Sequence, residues 1–123
     1  MADADTFVTT VQRLQQQGRY QLASMVLQET GAVVAVAGYR IGECLANGRE
    51  LYVYDLIVDS EHQARGHGQA LLHWLKEQAA AQQCNRLWLV SGKQRTGAHA
   101  FYAASGMDNF GFVFMQDVSN QAW

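Results

Sequence analysis

The sequence predicts a mixed α/β fold with a central twisted sheet, and three observations lead to this prediction. Three β-prone segments joined by short turns predict an antiparallel meander. After Val58 the pattern changes to a helical apolar stripe followed by another buried strand, which predicts one βαβ crossover. The 123 residues, 49% apolar and 16% charged, are sufficient for one domain with its own core. We therefore expect a single domain over residues 1–123, in the order α-β-β-β-α-β-α-β.

The first predicted helix covers residues 5–17, where Phe7, Val11 and Leu14 recur at helical spacing. The pattern then becomes typical of a β-strand from Tyr20 to Leu27. This segment is the first predicted strand of the sheet.

A hairpin is predicted next. Residues 32–45 are a nearly continuous run of small apolar and β-branched residues, as expected for a strand covered on both faces. Asn47 and Gly48 favour a tight turn with two positive φ angles. Residues 50–58 are the most strongly β-prone segment and form the third predicted strand.

The second predicted helix covers residues 68–83. Its apolar stripe comprises Leu71, Leu72, Leu75 and Ala79. His73 and Glu77 lie one turn apart on the polar face. Residues 86–90 are the fourth predicted strand. Because the helix forms a crossover between strand 50–58 and this strand, the two strands should run parallel.

The last two predicted elements are a helix from Thr96 to Ser105, which Gly106 can end, and a strand from Phe110 to Val118. Trp74 and Trp88 are predicted to be core residues.

Composition excludes several classes of partner. Nine Lys and Arg residues against eleven Asp and Glu give a net charge of -2, so nucleic acid is not an expected partner. The acidic N-terminus lacks the features of a signal peptide, and no apolar run is long enough to cross a membrane. We expect a cytoplasmic protein that does not bind membranes. Cys44 and Cys84 are predicted to be buried free thiols, and no spacing predicts a metal site.

A glycine-containing loop is the main functional signal. Residues 64–69 lie between the third strand and the second helix, where exposed N–H groups can bind a phosphate without obstruction by Cβ atoms. Gly68 is followed by Gln69 instead of the Lys of a P-loop, and Leu71 occupies the third Gly position of a dinucleotide fingerprint, so both of those families are excluded. An ordinary loop with a helix cap remains the alternative.

These residues resemble a known superfamily. The string Gln63-Ala64-Arg65-Gly66-His67-Gly68 matches the [Gln/Arg]-x-x-Gly-x-[Gly/Ala] signature of the GNAT superfamily of acyl-CoA N-acyltransferases. LYVYDLIVDSEHQARGHGQALLHWLKEQA and LWLVSGKQRTGAHAFYAASGM resemble the two motif segments of that superfamily, in the correct order. The second string is also similar to small-molecule amine acetyltransferases, including those that act on aminoalkylphosphonates. The resemblance covers roughly residues 6–118.

The resemblance implies a coenzyme A site. The co-substrate that it implies is acetyl-CoA. The resemblance assigns the signature loop to binding the pyrophosphate of acetyl-CoA, through the backbone amides from Ala64 to Gln69. The loop residues assigned in this way are Gln63, Ala64, Arg65, Gly66, His67, Gly68 and Gln69. It also implies a bulge in strand 50–58, with the pantetheine paired to backbone near Ile57 and Val58. Arg95 and Lys93 are candidates for contacts with coenzyme phosphates or an anionic acceptor, or are solvated loop residues.

Acetyl transfer to an amine needs a proton acceptor and a proton donor. The resemblance assigns Tyr102 as the donor to the departing thiolate, and Phe101 is assigned to packing. Asp55 on the central strand is the first candidate base, or is an ordinary polar residue. Glu43 is the substitute, and His99 is either a further candidate or a buried hydrogen-bonding partner.

The chain also departs from the superfamily pattern. The expected domain lacks the usual first strand and helix, which leaves strand 20–28 as an open edge and predicts a homodimer that covers it. The predicted function is therefore amine N-acetylation in a ternary complex of a small-molecule or peptide amine with acetyl-CoA. An inactive acyl-CoA-binding module and an interaction protein whose loop is only a helix cap are the alternatives.

Overall fold

The computed structural model describes residues 4–63 and 65–119, and the chain divides into two compact units, Met1–Leu89 and Val90–Trp123. The first unit contains α1 (Ala4–Gly18), β1 (Gln21–Val26), β2 (Val33–Cys44), β3 (Gly48–Val58), a 3-10 turn (Ser60–His62), α2 (His67–Ala81) and β4 (Arg86–Leu89). The second unit contains α3 (Thr96–Ala104). The first seven elements of the predicted order are confirmed within a residue or two at most boundaries, and the single domain stays a prediction.

The four strands form one mixed sheet in the order β1-β2-β3-β4. β1 pairs antiparallel with β2, and β2 pairs antiparallel with β3. β3 and β4 are parallel, as expected for strands joined by a helical crossover. The mixed α/β fold class is therefore confirmed.

The core lies between α2 and the two central strands. The four buried residues of α2 are those of the predicted stripe, Leu71, Leu72, Leu75 and Ala79. Leu51 on β3 is fully buried with Leu72 and Leu75, and each such side chain contributes about 1.5–3 kcal/mol to folding. On the exposed face of α2, His73 Nε2 lies 3.6 Å from Glu77 Oε1.

β3 contains a β-bulge at Tyr54. Asp55 lies opposite Gly38, whereas Val53 lies opposite the next residue of β2, Tyr39. The extra residue reverses the alternation of the strand, since a bulge shifts every later side chain to the other face. Without the bulge, Asp55 would face α2. With the bulge, Tyr54 and Asp55 are both exposed.

The predicted hairpin is present, but only one of its two turn residues has a left-handed backbone. The turn occupies residues 45–47, and Gly48 has a φ of 65°. Asn47 is not among the residues with positive φ.

The predicted strand from Phe110 to Val118 is wrong. Residues 107–118 have no regular secondary structure and pair with no strand in the described part of the chain. Alternating aromatic residues favour an extended backbone, but a strand forms only where a partner edge accepts its hydrogen bonds. The order α-β-β-β-α-β-α-β thus lacks its last strand.

Two further predictions differ from the structure. Trp74 is 37% and Trp88 is 40% exposed, so neither is a fully buried core residue. Trp74 instead makes an edge contact with Tyr39, with ring centroids 6.2 Å apart. The structure does not describe the side chains that form the predicted apolar stripe of α1, which are Phe7, Val11 and Leu14.

Candidate functional site

The N-terminus of α2 is open. Gly66 is its N-cap, with a φ of 80°, and no side chain in the described part of the chain makes a capping hydrogen bond. Among the described residues, no atom lies within 4 Å of a Cβ placed on Gly66. Because the first N–H groups of a helix lack intrahelical partners and carry partial positive charge, this end of α2 can bind an anion such as a phosphate.

The loop before α2 is held by its own contacts. His62 Nδ1 donates a hydrogen bond of 2.6 Å to Asp59 Oδ2, and the rings of His62 and His67 lie 6.3 Å apart. Gln63 and Arg65 are exposed, so the Arg65 guanidinium is available to an anionic ligand. Of the other loop residues, Gly68 is half-buried, Gln69 is exposed, and Ala64 lies outside the described residues.

The second half of β3 has an open edge. The pairing of β3 with β4 ends where Val53 lies opposite Leu89. From residue 54 to residue 58, no described strand pairs with that side of β3. Ile57 and Val58 pair with β2 on the other side. The backbone groups of this open edge can therefore bind an extended ligand in the manner of an added strand.

Asp55 is hydrogen-bonded to Tyr20, a residue that no motif in the sequence marks as functional. The buried hydroxyl of Tyr20 donates to Asp55 Oδ2 over 2.5 Å. Gly38 makes room for the pair, since a Cβ atom there would lie 1.6 Å from the Tyr20 hydroxyl oxygen and 2.8 Å from Asp55 Oδ2. Burial, reinforced by the hydrogen bond to Asp55, raises the pKa of Tyr20. The phenol therefore stays protonated as a donor.

Arg40 lies beside this pair. Its Cζ is 5.7 Å from the ring centroid of Tyr20 and 5.0 Å from that of Tyr54, within the range of cation–π contacts. Its Nε donates a 2.6 Å hydrogen bond to the Gly18 carbonyl. Arg40 thus supplies positive charge beside the rings of Tyr20 and Tyr54.

The aromatic side chains continue across the sheet. The Tyr52 ring lies 4.4 Å from the Tyr54 ring and 4.4 Å from the Trp88 ring. Trp88 Nε1 donates a 3.0 Å hydrogen bond to Glu50 Oε1. The pKa of Glu50 lies below its ordinary value, mainly because Asn47 donates a hydrogen bond to its carboxylate. Glu50 is therefore an ionised anchor for Trp88 at neutral pH.

Glu43, the predicted substitute for Asp55, lies elsewhere on the sheet. In the register of β2 and β3, Glu43 lies opposite Arg49, near the hairpin turn. Glu43 is five residues along β2 from Gly38, and Gly38 lies opposite Asp55. That separation is about 17 Å along a strand. Glu43 and Asp55 therefore do not share a site.

The second unit contains the remaining candidates. Lys93 and Arg95 are exposed, and Arg95 is the N-cap of α3. His99 is exposed, so the interpretation of it as a buried residue is wrong. Its Nε2 makes a 2.7 Å hydrogen bond with the Gly92 carbonyl. Because a carbonyl only accepts, Nε2 carries the proton and only Nδ1 is left for a base role.

Tyr102 is half-buried on α3. Its ring makes an edge contact with Phe101, with ring centroids 5.4 Å apart and an interplanar angle of 66°. This contact agrees with the packing role assigned to Phe101.

The cysteines give no sign of a nucleophile. Cys44 is exposed, contrary to prediction, and Cys84 is half-buried. Burial raises the pKa of the Cys84 thiol, which disfavours the reactive thiolate. Within residues 4–63 and 65–119, no group of three or more His, Cys, Asp or Glu side chains could hold a metal ion. None of the described helices has the length and apolar character needed to span a membrane.

A shallow cleft of about 210 Å³ lies away from the open end of α2. Its lining residues are Arg19, Gln21, Tyr39, Ile41, Arg49, Gln78 and Gln82. Since Gln78 and Gln82 belong to the other end of the helix, this cleft does not include the glycine loop.

Comparison with known proteins gives consistent matches. A family model described as the acetyltransferase (GNAT) family matches residues 3–107. The chain is 28% identical over 111 residues to the uncharacterized N-acetyltransferase YhdJ of Bacillus subtilis (strain 168). The alignment covers 90% of this chain and 74% of YhdJ.

Solved acetyltransferases share the fold. An acetyltransferase of Trypanosoma brucei superposes with a TM-score of 0.77 at 19% identity, covering 95% of this chain and 82% of that one. Glucosamine-6-phosphate N-acetyltransferase of Arabidopsis thaliana has a TM-score of 0.75 at 16% identity, with 95% and 80% covered. An aminoglycoside acetyltransferase from an uncultured soil metagenomic sample has a TM-score of 0.75 at 18% identity, with 95% and 75% covered.

Proposed function

Because this chain belongs to the acetyltransferase (GNAT) family, we propose that it transfers the acetyl group of acetyl-CoA to a primary amine of a small molecule or peptide. Membership makes it an acyltransferase; the acceptor class and the mechanism are our proposal. The observation that carries the proposal is the junction of β3 and α2, where an open strand edge is followed by a helix with a glycine N-cap.

The residues of this junction fit coenzyme A. The open N–H groups at the start of α2 suit the pyrophosphate, since no described side chain competes as a cap and Gly66 has no Cβ to obstruct the approach. The amides of residues 64–69 take this role, with Arg65 as a nearby cation. Backbone groups near Ile57 and Val58 would pair with the amides of the pantetheine. Arg95 is proposed as a second cation for the coenzyme phosphates.

The transfer requires little covalent chemistry from the protein. The amine nitrogen forms a bond to the acetyl carbon while the carbon–sulfur bond breaks. Asp55 accepts the proton that the amine gives up, directly or through water, and Tyr102 gives a proton to the departing sulfur. His99 is the substitute base through Nδ1. The role of Tyr102 rests on the motif that contains it.

The hydrogen bond from Tyr20 supports Asp55 as the base. It engages Oδ2 and fixes the orientation of the carboxylate, which leaves Oδ1 for the acceptor amine. A carboxylate held in one orientation by a neighbouring group is better placed for proton transfer than a freely rotating one. Tyr20 is thus a positioning residue, and Asp55 is the catalytic one.

The acceptor is proposed to be a small-molecule amine. Two solved structures that share the fold are named for glucosamine 6-phosphate and for aminoglycosides, and both are small molecules that carry amines. We further propose that the protein acts in the cytoplasm. We also propose a homodimer, because β1 is an edge strand of the described sheet and open edges are usually covered.

Thiol release from acetyl-CoA, measured across a panel of amino sugars, aminoalkylphosphonates, polyamines and peptides, tests the proposal. We expect amine-dependent release, with the acetylated amine identified by mass spectrometry. Coenzyme A binding without turnover on any amine would support a binding module instead. Absence of binding at millimolar coenzyme A would leave the loop as only a helix cap.

A further inference from the structure

The cleft at the far end of α2 from the glycine loop has the features of a second binding site. It has a volume of about 210 Å³ and is bounded by α2, by the first three strands and by the linker between α1 and β1. All of its lining residues belong to the first unit. From His67 to Gln82 the helix rises about 22 Å, so the cleft is separate from the proposed coenzyme A site.

The lining of the cleft is cationic. Arg19 and Arg49 each contribute a guanidinium group, and no described Asp or Glu side chain is among the lining residues. The other polar groups of the lining are neutral, and they are the amides of Gln21, Gln78 and Gln82 and the hydroxyl of Tyr39. Two guanidinium groups with no carboxylate between them favour an anionic ligand.

The carboxylate of Glu43 does not neutralise this charge. Glu43 lies opposite Arg49 in the register of β2 and β3, but it does not line the cleft. Within the described part of the chain, no ion pair joins the two side chains. The charge of Arg49 is therefore available to a ligand.

Arg49 is held in place by the end of α2. Its Nε donates a 2.6 Å hydrogen bond to the Gln82 carbonyl, and its Nη2 lies 3.4 Å from Gln82 Oε1. These contacts engage one side of the guanidinium group, and its remaining N–H groups can bind an anion. A guanidinium that is already oriented loses less entropy on binding than a mobile one.

The C-terminus of α2 would repel an anion if its carbonyl groups were unsatisfied, because they carry partial negative charge. Gln83 has a left-handed backbone with a φ of 61°, and its amide donates to the Ala80 carbonyl over 3.0 Å. The Cys84 amide donates to the Ala79 carbonyl over 2.8 Å. These two bonds form a Schellman motif. Together with the hydrogen bond from Arg49, they satisfy this end of the helix from within the protein.

The Gln21 side chain is oriented by Tyr39. The buried hydroxyl of Tyr39 donates a 3.0 Å hydrogen bond to Gln21 Oε1. Burial raises the pKa of Tyr39, so the phenol stays protonated as a donor at neutral pH. Because the oxygen of the Gln21 amide is engaged, its Nε2 is the end that can donate to a ligand.

Arg19 has a strained backbone. Its φ is 59°, in the left-handed region, and it follows the end of α1 at Gly18. Glycine is usual at this position after a helix, because a side chain there is unfavourable. Arg19 is exposed, and its side chain forms no hydrogen bond or ion pair with another described residue. No contact within the described chain offsets the strain, which points to a ligand of the guanidinium group.

We propose that this cleft binds a small anion with about two negative charges, such as a phosphate ester or a dicarboxylate, and that Arg19 and Arg49 are its charge partners. The volume of the cleft is below the roughly 300–1,000 Å³ of sites for drug-sized ligands, which suits a small anion. The inference does not rest on the proposed function, since none of these residues belongs to the proposed coenzyme A site or to the catalytic residues.

NMR of the glutamine side-chain amides tests the site on the unmodified full chain, with inorganic phosphate and succinate titrated separately. We expect the NH₂ signals of Gln21, Gln78 and Gln82 to shift and to saturate with a Kd of about 1 mM for one of the two anions. Chloride at equal ionic strength is the control for screening and should leave these signals in place. A tighter Kd for phosphate identifies a phosphate ester as the ligand class, and a tighter Kd for succinate identifies a dicarboxylate; both results support the site.

Arg19→Gly separates the binding of the anion from folding. Glycine adopts a φ of 59° without strain, so the Tm of this variant should be equal to or higher than that of the unmodified protein. We expect anion binding to weaken by about tenfold, because one charged hydrogen-bonding partner is lost. The matched control is Arg13→Gln, which removes one positive charge from an exposed position on α1 outside the cleft. This control should bind the anion as the unmodified protein does.

Two results overturn the proposal. The first is that the glutamine signals stay in place with both anions at about 10 mM, or move equally in Arg19→Gly and in the unmodified protein. The second is that only the backbone amides of residues 66–68 shift, which would place the anion at the start of α2 and support the proposed coenzyme A site instead. A protein without acetyl transfer activity would leave the expected glutamine shifts unchanged, so the two proposals fail independently.

Discussion

The hydroxyl of Tyr20 donates to Asp55 Oδ2 over 2.5 Å although a whole strand lies between the two residues. Tyr20 precedes β1, Asp55 lies on β3, and β2 separates them in the sheet. The hydrogen bond crosses β2 at Gly38, the residue opposite Asp55. Because neighbouring strands are about 4.8 Å apart, only a long side chain that passes over a glycine can span that distance. One hydrogen bond therefore joins the residue before β1 to β3 across β2.

Gly38→Ala should destabilise the protein strongly. The new Cβ would lie 1.6 Å from the Tyr20 hydroxyl oxygen, so Tyr20 must move and its hydrogen bond must break. We expect the free energy of unfolding in urea to fall by about 3 kcal/mol. Gly42→Ala on the same strand is the control, because its Cβ would meet nothing within 4 Å. Equal stabilities of the two variants would contradict the steric role of Gly38.

Tyr20→Phe should keep the packing and remove the hydrogen bond. We expect the free energy of unfolding to fall by about 1.5–3 kcal/mol, as for a hydrogen bond to a charged group. Turnover should fall because Asp55 is no longer oriented, while the affinity for coenzyme A stays unchanged. The control is Tyr54→Phe, which retains the ring that contacts Arg40. Turnover of Tyr20→Phe equal to that of the control would remove Tyr20 from the positioning role.

The raised pKa of Tyr20 predicts a loss of stability at high pH. Above the ordinary tyrosine pKa of 10.0, the unfolded chain loses the phenolic proton while folded Tyr20 keeps it. The folded state then binds more protons than the unfolded state, so the free energy of unfolding falls as pH rises. Burial also raises the pKa of Tyr39 and Tyr52, which contribute in the same direction.

Urea denaturation between pH 8 and pH 11 (about the range over which tyrosine titrates) measures this effect. We expect a smaller fall of stability with pH in Tyr20→Phe than in the unmodified protein. Identical slopes in the two proteins would show that Tyr20 titrates alike in the folded and unfolded chains.

Tyr102→Phe should separate chemistry from binding. If the phenol gives a proton to the departing sulfur, removing it should lower kcat by roughly 100-fold. The ring and its contact with Phe101 remain, so coenzyme A affinity should be nearly unchanged. Thiol release and calorimetry on the same preparation measure the two quantities. Unchanged kcat would exclude Tyr102 as the proton donor.

Local patterns and the family resemblance predicted those parts of the fold whose residues lie close together in the sequence. The helical spacing of Leu71, Leu72, Leu75 and Ala79 identified the buried face of α2. The bulge that the family resemblance implied for strand 50–58 is present at Tyr54. The glycine of the loop signature also lies where a left-handed backbone begins the helix. In each case, the residues involved lie close together in the sequence.

The features that were missed depend on distant partners. Phe110 to Val118 has strong strand propensity, but strand pairing requires an edge that the local sequence does not specify. Tyr20 lies 35 residues from Asp55, and the only sign of their contact is Gly38 within a run of larger apolar residues. The sequence predicts Trp88 as a core residue, but in the structure its Nε1 donates a hydrogen bond to Glu50 at the surface.

The central claim is that the start of α2 holds the pyrophosphate of coenzyme A. The most direct test is calorimetric titration of coenzyme A into the unmodified protein, Gly66→Ala and Gly31→Ala, which measures the affinity of each for coenzyme A. Gly66 and Gly31 have similar φ angles of 80° and 73°, and neither has an atom within 4 Å of a Cβ position, so the two variants impose the same backbone strain. We expect binding to weaken by about tenfold or more in Gly66→Ala only. Absence of binding to the unmodified protein at millimolar coenzyme A, or an equal loss in both variants, would contradict the claim.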